Sequence, residues 1–455
     1  MLYGRWSNPI FSQLRKLNGK TEERPMRRLL GTIRFGEVKS RMPNKKRSVF
    51  REGMVNAHYE AVSSTIFMNL IAGPYLTGYL LFLGADASQL GLILSIPLLA
   101  NAIVVILSAY LMEYYPNRYR TTLISILFHR IFLLGTGLIP FVWPKADWVP
   151  VFIVLFVIGC MSGSLSATPS VTLLADLVPR KFRANYFGIR FTLGGIAASV
   201  TLLTIGWGLD RLPMSTGFAL LYCCGLAVSL LNMVHYGRYP NLLYSSAGNS
   251  LSWKFMFEPL RDRSFFKAVL FVSFWLMAQG ATISLFSYVM LELMKTNYAW
   301  MGISNTLLTV VSIGATFIWG RLNMKWSTRK LLLWVFPLNA IAVLFWGLQA
   351  FLPDTLMLII VYTMLGISLS GFNLLTFQYV ISDTPKEGRS MYYAVWVSIT
   401  SLFGFFGPLV GGKLLNSLKS WPFWFQEYGL FVCIGALMLA ASLSISFIVF
   451  SAKQR

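Results

Sequence analysis

The sequence predicts an all-α membrane protein whose twelve transmembrane helices form two six-helix bundles. Hydrophobic residues make up 56% of the 455 residues and charged residues only 12%, whereas about a quarter of a soluble domain is charged. Apolar runs of about 20 residues or more, long enough to cross a ~30 Å hydrocarbon core, recur along the chain. These runs are continuously apolar rather than alternating, which favours helices over a β-barrel.

Short connections separate most of the twelve predicted spans. Their predicted bounds are 56–83, 90–114, 121–143, 149–175, 186–209, 216–236, 268–293, 300–322, 330–352, 356–381, 391–415 and 428–451. One longer segment, 237–267, is polar and rich in Asn, Ser and Gly, and it has six spans on either side. We therefore predict a basic arm at 1–52, an N-terminal bundle at 53–236, a linker at 237–267 and a C-terminal bundle at 268–455.

The distribution of charge predicts the orientation in the membrane. The formal net charge is +22, and residues 1–52 alone carry fourteen Lys or Arg against four Glu. Most other Lys and Arg lie in the loops that follow even-numbered spans. By the positive-inside rule these loops are cytoplasmic, as are both termini of this multi-pass protein of the cell membrane. We expect the arm to contact anionic lipid head groups or to lack structure, because no basic module interleaved with aromatic residues indicates nucleic acid.

The cysteine and histidine residues predict neither a metal site nor a cofactor. All four cysteines fall inside predicted spans, without the spacing of a disulfide framework or of metal ligands. The three histidines lie on different spans. This arrangement disfavours a lipid-modifying membrane enzyme, which needs converging nucleophiles, bases or metal ligands.

One motif in predicted span 11 is similar to a phosphate-binding loop. GPLVGGK at 407–413 fits the pattern GxxxxGK, but Leu414 replaces the Ser or Thr that would hold magnesium. The motif also lies inside a predicted helix rather than after a strand. We therefore predict no nucleotide site, so that any transport is driven by gradients.

A short polar loop occurs twice. PRKFRANYF at 179–187 joins spans 4 and 5, and PKEGRSMYY at 385–393 joins spans 10 and 11. Their Pro, Arg, Tyr and final aromatic residues are all separated by 206 positions. A second pair of segments, AYLMEYYPNRYR at 109–120 and GRLNMKWSTRK at 320–330, follows spans 2 and 8. Such an internal repeat is typical of a transporter built from two related halves.

At this second pair the sequence resembles the major facilitator superfamily, whose signature after helices two and eight reads GxLaDrxGrk. The later copy matches at Gly320, Leu322, Lys325, Arg329 and Lys330. The earlier copy aligns at Ala109, Leu111, Glu113 and Arg118, but departs from the pattern at Tyr114 and Pro116. The resemblance covers residues 53–455. It implies a major facilitator fold and a secondary transporter that moves a small solute by alternating access.

The resemblance also implies that charges in the loops hold one face of the molecule shut. On that model Asp176 pairs with Arg118 or Arg120, and Asp383 takes the matching role in the second half. The full set of gate candidates is Glu113, Arg118, Arg120, Asp176, Arg183, Gly320, Lys325, Arg329, Asp383 and Arg389. Alternatively these charges only keep the loops in water, since surface ion pairs often contribute under ~1 kcal/mol.

Polar side chains concentrate on spans 1, 4, 7 and 10, the helices that face the central cavity in the family. The candidates for lining that cavity are Asn69, Gln279, Asn373 and Gln378. The alternative reading is hydrogen bonding between helices, which is common in membranes.

Three charged residues, Glu60, Arg130 and Arg190, are singled out by their depth within spans, where charge is costly and often functional. Arg130 is ten residues beyond Arg120, about 15 Å into the core. Glu60 and Arg190 each lie roughly 6 Å deep, so they can pair at equal depth. Their pairing can serve neutralisation alone, or Glu60 can couple substrate or proton. Arg130 either pairs inside the first bundle or reaches the cavity, where it would favour anionic or zwitterionic solutes.

The leading interpretation is a monomeric, gradient-driven transporter of a small solute, with a proton as a possible coupled ion. The nearest alternative is a polyspecific drug or metabolite efflux permease. From other classes, a sensor that uses the arm 1–52 as output is disfavoured because the arm has no periodic apolar core.

Overall fold

The structure is a computed structural model that describes residues 44–115, 117–179, 183–240, 258–382 and 389–451. Two compact units divide the chain, Met1–Ser48 and Val49–Arg455. Within the described residues, twelve helices are long and apolar enough to cross a membrane, and all twelve lie in the second unit. The predicted all-α fold with twelve spans is confirmed. The prediction for the arm falls mostly on residues outside these ranges.

Most spans consist of one long helix. The helices are Asn44–Ile71 and Tyr75–Phe82 in span 1, Ala87–Tyr114 in span 2, Arg118–Gly135 with Thr136–Leu138 and Ile139–Val142 in span 3, Trp148–Leu177 in span 4, Arg183–Leu209 in span 5, Met214–Gly237 in span 6, Arg263–Ile283 with Phe286–Tyr288 and Val289–Leu293 in span 7, Tyr298–Lys325 in span 8, Thr328–Leu344 with Phe345–Ala350 in span 9, Asp354–Ser382 in span 10, Arg389–Ser417 in span 11, and Phe425–Gly429 with Leu430–Ser451 in span 12. Short helices at Lys145–Asp147, Glu258–Arg261 and Leu418–Ser420 lie outside them.

Several helices begin before their predicted apolar runs because polar residues cap them. Asp86 and Gln89 exchange side-chain and backbone hydrogen bonds in a capping box at the start of span 2. Asn117 accepts from the Arg120 N–H at the start of span 3, at 3.1 Å. Span 1 is interrupted between Ile71 and Tyr75, where Pro74 has no N–H with which to continue the helical ladder.

Successive spans run in opposite directions, so the loops alternate between two faces of the molecule. We call the face with the loops after even-numbered spans the basic face, and the opposite one the far face. Spans 1–6 form the N-terminal half and spans 7–12 the C-terminal half. The halves meet along two pairs of helices, span 2 with span 11 and span 5 with span 8.

The buried core reflects this contact. One apolar cluster includes Tyr75 from the N-terminal half together with Phe286 and Tyr298 from the C-terminal half, so it joins the two. A second cluster, around Phe336 and Trp396, lies within the C-terminal half.

The glycines of the segment 407–413 allow span 11 to approach two other helices closely. A Cβ added to Gly411 would lie 2.3 Å from the carbonyl oxygen of Ala281 in span 7. One added to Gly412 would lie 2.4 Å from the carbonyl oxygen of Ala87 in span 2. Membrane helices have no hydrophobic drive to associate, so small residues of this kind supply close packing instead. The segment is therefore a helix-packing surface.

The tyrosine of the repeated loop is buried against the first span of its half in both copies. Tyr186, at the start of span 5, is buried and donates its hydroxyl to the carbonyl of Met54 at the start of span 1, at 2.8 Å. Tyr392, at the start of span 11, is buried against Phe265 at the start of span 7, with ring centroids 4.8 Å apart. The tyrosine of each copy thus joins the fifth span of its half to the first, that is, span 5 to span 1 and span 11 to span 7.

Candidate functional site

The far face is closed by a carboxylate from one half and a helix terminus from the other. Asp210, just beyond the end of span 5, accepts hydrogen bonds from the backbone N–H groups of Tyr298 and Ala299, each at 2.8 Å. Asn297 caps the following N–H, that of Trp300, at 3.0 Å. The first four N–H groups of a helix have no acceptor within the helix, and three of these four are therefore hydrogen-bonded at the start of span 8. A carboxylate is also favoured there by the positive end of the helix dipole.

Close packing accompanies this bond. The Tyr75 hydroxyl of span 1 donates to the Leu202 carbonyl of span 5 at 2.5 Å. A Cβ added to Gly302 of span 8 would lie 2.5 Å from that same hydroxyl oxygen. One added to Gly206 of span 5 would lie 2.5 Å from the Tyr298 carbonyl oxygen. Spans 1, 5 and 8 thus meet with no room for one further carbon atom.

The basic ends of the same two helices are not packed in this way. No heavy atom of the described residues lies within 4 Å of a Cβ added to Gly188 near the start of span 5, nor to Gly320 near the end of span 8. The closest contacts described between spans 5 and 8 lie towards the far face, at Asp210, Gly206 and Gly302.

A buried ion pair lies towards the basic face inside the N-terminal half. The Glu60 side chain is 5% exposed, and its Oε2 lies 2.5 Å from Arg190 Nη2. The same guanidinium donates through Nη1 to the carbonyl of Ala57. Tyr239 donates its hydroxyl to Glu60 Oε2 at 3.3 Å. Spans 1 and 5 and the end of span 6 therefore converge on one carboxylate.

The surroundings of Glu60 are polar and also buried. Asn232 of span 6 donates to the Glu60 carbonyl at 3.1 Å and to the Ser63 hydroxyl at 2.9 Å. Burial raises the pKa of the Tyr239 hydroxyl well above its ordinary value, and the Glu60 carboxylate raises it further. The phenol therefore stays protonated and remains a donor to Glu60.

Aromatic residues take the places of Arg190 and Glu60 in the C-terminal half. With the 206-residue offset of the repeated loop, Arg190 corresponds to Trp396, and with the 211-residue offset of the two signature copies, Glu60 corresponds to Phe271. Trp396 is buried and packs on Tyr379 and Phe265, with ring centroids 6.1 Å apart in each case. These two positions therefore do not repeat the ion pair in the second half.

Arg130 lies inside the N-terminal half. It is 4% exposed, and its Nη2 donates to the Ser64 hydroxyl at 2.9 Å. The guanidinium carbon stands 3.8 Å from the centre of the Phe67 ring, a cation–π contact. Its Nε and Nη1 have no hydrogen-bond partner among the described residues. The Arg130 side chain therefore contacts span 1, at Ser64 and Phe67.

The uncharged cavity candidates lie on spans 1, 7 and 10, and no contact between them is described. Gln279 is buried, and its Oε1 has no partner within the described part of the chain. Asn69 is partly buried and donates to the carbonyl of Thr65 in its own helix at 2.9 Å. Asn373 is exposed and Gln378 is partly exposed on span 10. In the described ranges, no group of three or more His, Cys, Asp or Glu is placed to hold a metal ion.

Two gate candidates are brought together. Arg118 Nη1 lies 2.8 Å from Asp176 Oδ2, and the arginine side chain is 2% exposed while the aspartate is 55% exposed. Both residues belong to the N-terminal half, so this pair by itself does not join the halves. Arg120 is exposed, and its backbone N–H is capped by Asn117.

The remaining gate candidates are only partly described. Arg329 lies over the Tyr379 ring, with its guanidinium carbon 5.6 Å from the centre. Lys325 is exposed and Gly320 is partly exposed. Asp383 lies outside the described residues, and the side chains of Glu113, Arg183 and Arg389 are not described.

Comparison with known proteins identifies the family. The model of the Major Facilitator Superfamily matches residues 61–408, which is more than half of the chain. The chain belongs to the Major Facilitator Superfamily. It is accordingly a multi-pass membrane transport protein, and the resemblance found at the two signature copies is confirmed.

Solved structures of this superfamily share the fold. The nucleoside transporter NupG is 13% identical, with a TM-score of 0.66, and the match covers 89% of this chain and 100% of that one. A D-xylose–proton symporter is 14% identical, with a TM-score of 0.68 and coverages of 87% and 96%. A bacterial homologue of the human lysosomal transporter Spinster, in an inward-facing and unoccupied conformation, is 15% identical, with a TM-score of 0.65 and coverages of 90% and 98%. No curated protein matches the chain.

Sequence reasoning missed Asp210 and Tyr239. A signal for Asp210 was present, because an acid at the C-terminal end of a helix opposes the helix dipole and so indicates a partner elsewhere. No comparable signal marked Tyr239, which lies beyond the last turn of span 6.

Proposed function

We propose that this transporter is a secondary active carrier, which moves a small solute by alternating access and draws on an ion gradient rather than on nucleotide hydrolysis. The observation that carries the proposal is the uneven contact between the halves. Asp210, Gly206 and Gly302 hold the far ends of spans 5 and 8 together, whereas no hydrogen bond or glycine contact is described between the basic ends of these spans at Gly188 and Gly320. If the halves are joined at the far face and separate at the basic face, a site between them is accessible from the basic face only.

The opposite state follows from breaking the far-face contact. If the halves rock, the Asp210 carboxylate leaves the start of span 8, and Gly206 separates from Tyr298. With the basic face in the cytoplasm, as the positive-inside rule predicts, the present conformation faces inward. The related Spinster homologue was likewise solved in an inward-facing conformation.

Glu60 is the proposed proton-coupling residue. Its carboxylate is buried and shared between Arg190 and Tyr239. Protonation would remove the charge that holds both partners, and so would release spans 5 and 6 from span 1. The C-terminal half has Trp396 at the position of Arg190, packed on Phe265, so the ion pair is not a repeated element of the two halves, which supports a role for it beyond folding.

Transport in reconstituted liposomes tests this function. A sequence identity of 12–15% to the solved structures supports a shared fold but not a shared solute. The panel of tested solutes should therefore include sugars, nucleosides, amino acids, organic anions and cationic drugs. We expect at least one solute to accumulate above equilibrium when a proton gradient is imposed, and only to equilibrate without one. Glu60→Gln should abolish accumulation and retain solute exchange, because exchange needs no net proton movement.

The matched control is Asp147→Asn, which neutralises an exposed acid on the far face and should leave accumulation unchanged. Absence of movement for every solute, in liposomes loaded from either side, would overturn the carrier proposal. Accumulation by Glu60→Gln at the wild-type level would remove proton coupling from this residue.

A further inference from the structure

A concave pocket lies where spans 8 and 9 leave the membrane. Its volume is about 280 Å³, and it is lined by Lys325, Trp326, Ser327 and Lys330. Span 8 ends at Lys325 and span 9 begins at Thr328, so the pocket sits at the boundary between hydrocarbon and water on the basic face. We refer to these four lining residues as the lysine pocket. Nothing in the proposed transport mechanism uses it.

The lysine pocket is positively charged without compensation from described acids. Lys325 and Lys330 are exposed, and neither forms an ion pair with a described residue. Ser327 occupies the N-cap position of span 9 but makes no side-chain capping bond. Two ammonium groups and the positive end of a helix thus face one concavity.

The wall beside the lysine pocket is apolar and aromatic. Trp326 and Trp334 are 47% and 64% exposed, and their ring centroids are 6.1 Å apart. Tryptophan is enriched at the membrane–water interface, where its ring sits at head-group level. Along span 8, Met324 and Phe317 are 81% and 66% exposed. A ligand whose anionic head enters the pocket can therefore lay hydrocarbon chains against this side of the molecule.

We propose that the lysine pocket binds the phosphate group of an anionic glycerophospholipid. Lys325 and Lys330 hold the phosphate oxygens, and the two tryptophans contact the glycerol and upper acyl region. A free phosphate ion would use the same lysines but would gain nothing from Trp334 and the exposed face of span 8. The lipid is therefore the occupant that fits the whole surface. The proposal is independent of which solute is carried.

Native mass spectrometry on the full chain tests the site. Protein purified in a neutral detergent is incubated with phosphatidylglycerol or with phosphatidylcholine, and retained lipid is counted. We expect wild-type protein to retain one phosphatidylglycerol more tightly than any phosphatidylcholine. Lys325→Gln combined with Lys330→Gln should weaken that retention about 30-fold, ~2 kcal/mol, since each basic residue near anionic lipid contributes about 1 kcal/mol.

Arg261→Gln combined with Lys267→Gln is the matched control, because it removes two exposed positive charges from the same face outside the pocket. This control should retain phosphatidylglycerol like the wild type. Equal loss in both double variants, or no loss in Lys325→Gln with Lys330→Gln, would overturn the proposal. Saturable binding of inorganic phosphate without lipid, removed by the same substitutions, would show a free-phosphate site instead and would also overturn it. If the double variant is unstable by thermal melting, Lys330→Gln alone should still weaken retention about fivefold.

Discussion

At the scale of single residues, the ion pair of Glu60 and Arg190 is the most constrained polar contact in the N-terminal half. Both charged groups lie within a membrane span, and Arg190 is further bound to a main-chain carbonyl. Removing one partner of such a pair leaves the other charge buried, which costs more than the net contribution of the pair. The energetic coupling between the two residues should therefore be large.

A double-mutant cycle measures that coupling. Glu60→Gln should lower the melting temperature and membrane abundance, because the Arg190 guanidinium loses its counter-charge. Adding Arg190→Gln should restore much of the loss, with a coupling energy of about 1 to 3 kcal/mol.

The surface pair of Glu292 and Lys295, 3.4 Å apart and exposed, supplies the matched control. Glu292→Gln should change stability by less than about 1 kcal/mol. Purely additive losses at Glu60 and Arg190 would contradict the expected coupling.

Depth alone was enough to predict that Glu60 and Arg190 can meet, because a helix rises a fixed distance per residue. It was not enough for Tyr239 or Arg130. The Tyr239 hydroxyl reaches Glu60 from beyond the end of span 6, and Arg130 bonds Ser64 through a side-chain direction that span assignment does not define. Position along a helix is local information, whereas the partner of a side chain depends on how the helices are arranged.

At the scale of helices, spans 5 and 8 have contacts that differ along their length. Near the far face Gly206 of span 5 touches the backbone of span 8. Gly208, about half a helical turn further on, has no heavy atom of the described residues within 4 Å of an added Cβ. The two glycines share a helix, a residue type and nearly the same depth. Replacing each glycine by alanine therefore separates the effect of steric contact from the effect of helix propensity.

Gly206→Ala should shift the molecule towards the conformation that is open at the far face. The added methyl group overlaps the Tyr298 carbonyl, and such overpacking costs about 1 to 3 kcal/mol, equivalent to a five- to 150-fold population change. Spin labels at Ser215→Cys and Ser420→Cys, in a background without native cysteines, should report a larger population of long distances. Gly208→Ala should match the parent distribution, and an identical shift in both variants would contradict the steric explanation.

Most helix boundaries were predicted within a few residues, whereas the first helix begins at Asn44 rather than at 56. The smaller deviations have a physical reason. Span 8 continues to Lys325 and span 3 starts at Arg118, whereas hydropathy ended span 8 at 322 and started span 3 at 121. Backbone hydrogen bonding and capping set where a helix stops, whereas hydropathy reports only the part in hydrocarbon. The contacts between spans 2 and 11 could not be predicted, because the small residues that permit them also occur in helices without such contacts.

At the scale of the whole molecule, two halves with related loops are joined more tightly at one face than at the other. Fold class, span number and family were predictable because apolar runs and the repeated loop are properties of the chain itself. The orientation of the faces stays a prediction from the positive-inside rule.

Thiol labelling on intact cells checks that orientation. Single cysteines at Ser88→Cys and Ser417→Cys, both at the far face, should react with an impermeant maleimide. Ser390→Cys, at the basic face, should react only after the cells are permeabilised. Reaction of Ser390→Cys on intact cells would reverse the assigned orientation.

The bond of Asp210 to span 8 has a consequence for how this protein tolerates substitution. Its two donors are main-chain N–H groups, which nineteen of the twenty amino acids supply and proline alone lacks. Position 299 is therefore free to vary in side chain without losing its half of the bond, while position 210 must keep an acceptor of the same reach. Of the residues that make this bond, Asp210 is therefore the one whose side chain selection must preserve.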